Sequence, residues 1–129
     1  SWTPTLTFAS PGDLAVGYTT RLGSYRRVGD LVHVDFEIQT SSFTYLTATG
    51  RLQITGLPYP VGARSGIGSG YMEGWTLAAV AGIAFRAEPS TSLVSFRASL
   101  SGAVSLDLST IHVLTAGTVV IVGSVDYVA

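Results

Sequence analysis

The chain has 129 residues, a length suited to one domain able to bury a proper core, with 47% hydrophobic and 12% charged residues and a formal net charge of -1. It contains no cysteine, so disulfides and thiolate metal sites contribute nothing, and it lacks the basic excess of a nucleic-acid binder. The longest apolar run, LAAVAGIAF at 77–85, is far shorter than the roughly 20 residues of a membrane helix, so no membrane insertion is expected.

The first residues alternate cleanly. Trp2, Pro4, Leu6 and Phe8 take one side and Thr3, Thr5 and Thr7 the other, which predicts a half-buried strand over 2–8. Pro4 has no N–H to give to a ladder and places that strand at a sheet edge. A turn at 10–13 (SPGD) follows, after which Leu14, Val16 and Tyr18 share a face. Gly29-Asp30 is a two-residue turn of the kind that suits right-twisted strands, so 31–40 forms the second arm of a hairpin. Val32, Val34, Phe36 and Ile38 belong to its core face, and Leu31, His33, Asp35, Glu37 and Gln39 to its solvent face. Residues 41–45 read as a loop tip.

Leu52 and Ile54 mark a strand ending at GLPYP, where Pro58 and Pro60 fix an extended connection. The segment 62–75 carries Gly62, Gly66, Gly68, Gly70 and Gly74, so strands within it are expected to be short or bulged. Strands at 83–87 and 93–100 flank a turn at 88–92. Short strands at 104–108 and 111–114 and a last one at 119–127 complete the series. Turn signals every 8–12 residues, without helix caps or a 3.6-residue period, predict an all-β fold: an antiparallel β-sandwich of the jelly-roll kind. The charged fraction is about half that of an average soluble domain, which suggests that part of the surface is buried against copies of the chain. Some of Val119, Val120, Ile121 and Val122 should line that seam.

Three segments in order, WTPTLTF, YTTRLGSYRRVGDLVHVDFEI and ITGLPYP, span residues 2–60, and VGSVDYV closes the chain at 122–128. Together they resemble a recurring module of bacteriophage tail fibres and tail spikes. The resemblance implies one tip domain over 1–129, taken from the C-terminal part of a longer fibre chain, with a β-sandwich protomer and a threefold homotrimer. It implies a place at the receptor-binding end of the virion's tail fibre. The ligand expected there is a host-surface glycan, polysaccharide or lipopolysaccharide. The other reading is a trimerisation and folding clamp whose fibre recognises its receptor elsewhere. The module's tip loops vary, so no binding residue is carried over by motif.

Candidate chemistry is sparse. His33, Asp35 and Glu37 share a strand face about 6.6 Å apart, whereas metal ligands must converge to about 2.0–2.6 Å from one ion. They read as a solvated face dispensable for any activity, with no metal or cofactor expected. The chain has neither a G-x-S-x-G elbow nor an H-E-x-x-H pair, and Glu73 and Glu88 qualify as a glycosidase pair only in being acids, so an enzyme is not expected. Aromatic rings can stack on sugars while neighbouring polar groups bind hydroxyls. Tyr45, Tyr59, Arg64, Tyr71, Glu73 and Trp75 form the candidate glycan-binding set. The same aromatics, and Phe43 beside them, would equally fill core edges or a trimer seam.

Overall fold

The structure, a computed structural model, describes residues 1–74, 80–100, 106–107, 109 and 118–129. Its strands are β1 (Thr5–Ser10), β2 (Ala15–Val28), β3 (Leu31–Thr44), β4 (Thr49–Thr55), β5 (Gly66–Glu73), β6 (Val80–Ala87), β7 (Leu93–Leu100), β8 (Leu106–Asp107) and β9 (Val120–Val128). No helix occurs among the described residues. The strands pair antiparallel in the order β1-β4-β7-β6-β5-β9-β3-β2, with β8 attached to β7. They form one rolled sheet, nearly closed into a barrel, where turn spacing predicts two stacked sheets. Alternation tells a strand which side is inside; it does not tell the sheet where to stop.

Closure is made at the seam between β1 and β2. The Trp2 amide donates to the Gly23 carbonyl at 3.1 Å, the one direct backbone link among the described residues there. Side chains do the rest. Pro4 offers no N–H, and its carbonyl accepts from Arg21 Nε at 2.7 Å. The Leu6 amide donates to the Tyr18 hydroxyl at 3.1 Å. The Arg21 guanidinium lies 4.5 Å from the Tyr18 ring centroid, a cation–π contact that fixes both side chains. The edge position expected from Pro4 is thus observed, and its exposed backbone is blunted by side chains.

The alternations of β1 and β3 hold. Trp2, Pro4, Leu6 and Phe8 are buried, as are Val32, Val34, Phe36 and Ile38. Trp2 lies ahead of β1 but donates its indole N–H to the Ser24 carbonyl at 3.0 Å. The interior is filled by two aromatic groups. Trp2, Phe36, Phe85 and Phe96 form a chain with centroid separations of 6.3, 5.3 and 5.2 Å. Phe8, Phe43 and Tyr45 form the second. Each fully buried Phe contributes about 1.5–3 kcal/mol by leaving water.

Two local expectations are corrected. Residues 41–44 are not a loop tip: β3 continues to Thr44, with Phe43 fully buried and Val16 opposite it on β2. The Gly-rich segment carries an eight-residue strand, β5, in unbroken register with β9 from Ile67↔Asp126 to Glu73↔Val120. Its glycines mark close approach instead of bulges. A Cβ on Gly68 would lie 1.9 Å from the Ser124 carbonyl oxygen, and one on Gly70 2.7 Å from Phe85. Of the four residues from which some were expected at a subunit seam, Val119 and Ile121 are buried inside the barrel, while Val120 and Val122 point outward and stay available for one. The predicted strand at 111–114 lies outside the described residues, as does most of 104–108 apart from β8.

Polar side chains tie the loops to the wall. The Asp13 carboxylate accepts from the Leu46 and Thr47 amides at 2.9 and 2.7 Å, which joins the β1–β2 and β3–β4 connections and holds its own pKa below the usual carboxylate range. Glu88, nearly buried, accepts from Arg51 at 3.0 Å and from the buried Ser95 hydroxyl at 2.5 Å.

Candidate functional site: a groove across four strands

Neighbouring strands β5, β9, β3 and the 20–28 part of β2 pair without a register shift, so their residues line up in rows across the sheet. One row runs Tyr71, Val122, Glu37, Leu22. The next runs Gly70, Gly123, Phe36, Gly23, and the one after it Ser69, Ser124, Asp35, Ser24. Alternation sends the first and third rows outward and the middle row inward. The middle row therefore shows only its backbone to solvent and forms a floor, with the outer rows as walls.

The inward side explains why this row is mostly glycine. Phe85 packs against the inner surface, and a Cβ on Gly123 would lie 2.2 Å from its ring. A Cβ on Gly23 would lie 2.8 Å from the indole nitrogen of Trp2. The outer result is an open groove of about 630 Å³, within the range of small-ligand sites.

The two walls differ in chemistry. One is largely apolar: Leu22 and Tyr71 are more than half exposed, and Val122 is also exposed. The other carries the hydroxyls of Ser24, Ser69 and Ser124. One carboxylate stands on each wall, Glu37 on the apolar side and Asp35 on the hydroxyl side. Two devices hold the polar groups in place. The Tyr71 hydroxyl donates to Glu73, which fixes the ring and pushes the phenol above its ordinary range. His33, in the next outward row, meets Asp126 through Nδ1 at 2.5 Å and Asp35 through Nε2 at 3.1 Å. Its hydrogen bond to Asp126 raises the imidazole pKa above 6.5, against the effect of partial burial and with help from the Asp35 charge.

Of the candidate glycan-binding residues, only Tyr71 lines this groove, with Glu73 bonded to it; Asp35 and Glu37, expected to be a dispensable solvated face, line it as well. Tyr45 is a core-edge residue, its ring 5.1 Å from Phe8 and 5.9 Å from Phe43. Tyr59 is held 5.7 Å from the Tyr25 ring and 4.4 Å from the Arg27 guanidinium. Arg64 is exposed on the connection into β5, away from the groove lining. Trp75 lies outside the described residues. His33, Asp35 and Glu37 share a solvated outer face as expected, and Asp126 on β9 joins them. Among the described residues no three His, Cys, Asp or Glu side chains form a metal-binding group. Leu22, Val122 and the three serines escaped sequence reasoning. Their one signal was an apolar or small residue at an outward strand position.

Comparison with protein-family models, curated proteins and solved structures finds no match to this chain.

Proposed function

We propose that this chain is a receptor-binding module of a bacteriophage tail fibre, a homotrimer that attaches the virion to a host-surface glycan through the outer groove. The observation that carries the reading is the pairing of an exposed Tyr71 ring and aliphatic wall with a facing line of hydroxyls, one carboxylate standing on each wall. A pyranose has the complementary make-up, an apolar face that stacks on aromatics and a rim of hydroxyls. The ordered segments over 2–60 that resemble tail-fibre modules supply the biological setting. In this reading the rolled sheet is a jelly-roll-like protomer, and recognition sits on the strands where loop aromatics were expected.

A shallow site of this kind supports about −4 kcal/mol, or millimolar affinity. Three copies on one axis raise the effective affinity by about 10² to 10⁴ without new contacts. The test is Tyr71→Ala in a trimer of unchanged size, read by glycan-array and cell-surface binding. Loss of binding supports the reading; retention of wild-type binding removes the groove as the site.

A second reading, a trimerisation clamp, is favoured by one observation. Val28, Leu31 and Val128 form a register row at the Gly29–Asp30 end of the same four-strand face, all exposed, Val28 to 78%. Such a row fits a subunit seam beyond the groove, and a stable one should bury about 2,000 Å² or more in total. Leu31→Asp should then convert a trimer to a 13.4 kDa monomer by sedimentation velocity. A wild-type chain that already sediments as a monomer at micromolar concentration removes the trimer from both readings.

A further inference from the structure

We propose that the groove selects its saccharide by charge: it takes a stretch bearing free amines, tolerates a neutral one and rejects phosphorylated or carboxylated sugars. This rests on the glycan-binding reading and narrows it. The only ionisable carboxyl or basic groups lining the groove are Asp35 and Glu37, with no arginine or histidine among the lining residues. They flank Phe36 on β3, so both point outward, one on each wall, about 6.6 Å apart along the strand. A sugar ring lying on the glycine floor thus has a carboxylate on either side of it.

Carboxylates only accept hydrogen bonds. They are matched to ammonium and hydroxyl donors and have nothing to give a phosphate or a uronate. The surroundings reinforce the sign. Glu73 stands beside Tyr71 at the β5 end, and Asp126 lies one outward row beyond Ser124. Arg26 and His33 are paired in register in that same further row; the His33 ring bonds Asp126 and also Asp35, at 3.1 Å, and so offsets part of the Asp35 charge while leaving Glu37 untouched. The net charge of -1 is therefore spread unevenly, with this face acidic. Like charges brought together in a shallow site are disfavoured, and opposite charges there gain affinity that salt weakens.

The experiment compares three short oligosaccharides: glucosamine, N-acetylglucosamine and galacturonate oligomers. Binding is read by saturation-transfer NMR and calorimetry at about 0.01 and 0.1 M ionic strength. The proteins are wild type, the D35N/E37Q double variant and Tyr71→Ala, each checked for an unchanged circular dichroism spectrum. Glucosamine is expected to bind wild type best and to weaken with salt, losing roughly tenfold on D35N/E37Q. Galacturonate should bind the double variant better than wild type. If D35N/E37Q fails to fold, the E37Q single variant reports the same trend at lower amplitude. Galacturonate binding to wild type as tightly as glucosamine, in a Tyr71-dependent manner, overturns the charge rule and leaves the glycan reading standing. Absence of Tyr71-dependent binding by all three oligomers, with cell-surface binding also unaffected in Tyr71→Ala, overturns both.

Discussion

A single methyl group probes the wall between groove and core. At Gly123 a Cβ would meet the Phe85 ring at 2.2 Å, and that ring is already wedged between Phe36 and Phe96. Gly123→Ala should cost about 1–3 kcal/mol through overpacking, read as a lower denaturation midpoint at unchanged slope. Gly82 is the control: nothing lies within 4 Å of a Cβ there, so Gly82→Ala should stay within about 0.5 kcal/mol of wild type. His33 gives a different kind of signal. Its folded pKa is raised above 6.5, so the stability it adds is fully present below that value and is lost as pH rises through the folded one. Asp126 supplies the main cause, and the exposure of both side chains keeps the effect small. Thermal scans across this window should show a decline in wild type that is absent in His33→Gln; parallel profiles would show that the His33–Asp126 contact contributes nothing.

At the scale of elements, the seam is the informative feature. Leu6 is buried and its amide relies on the Tyr18 hydroxyl. Tyr18→Phe keeps the ring under Arg21 but leaves that N–H without its acceptor, for an expected loss of about 1–3 kcal/mol. Hydrogen exchange should quicken first at Leu6, ahead of the β3–β9 ladder; uniform quickening would mean that the seam is not a separate weak point. The strands themselves were largely legible. The inward sets of β1 and β3, the Gly29-Asp30 turn and the 88–92 turn follow from local chemistry, because side alternation and turn residues are written within a few positions. Residues 41–44 were not legible, since two serines and a threonine look like a loop until Val16 is seen opposite Phe43. Of the groove only Tyr71 was legible as a binding residue; the outward placement of Asp35 and Glu37 was legible, but not their place in a site. Its walls are assembled from four strands whose neighbours in space are set by pairing order, and no local pattern states that β9 lies between β5 and β3. Tyr45 and Tyr59 looked like binding aromatics because loops usually carry recognition, yet both are occupied by ring contacts within the fold.

For the whole molecule, buried aromatic and aliphatic side chains fill the interior of the rolled sheet among the described residues, and the groove lies on its outer wall. That wall is also where any assembly must form, and the register rows separate a mid-face groove from the apolar Val28, Leu31 and Val128 end. The position of β9 has a further consequence, in the timing of folding. It is the last strand in the sequence yet sits between β5 and β3. Without it the ladder falls into two pieces: the β2–β3 hairpin, and a separate set comprising β1, β4, β7, β6 and β5 with β8 attached. On a ribosome adding residues one by one, neither piece can complete the sheet until 120–128 have emerged, and the edges of β3 and β5 stay open throughout. Closing contacts across some 90 residues of chain is slow, so refolding should be a single late step on the millisecond-to-second scale. Joining the present ends and reopening the chain in the exposed 63–65 connection would place β9 ahead of β1, β2 and β3 and shorten the sequence between β9 and β3. Such a permutant should refold faster than the original order; an unchanged rate would show that β9 docking does not limit folding.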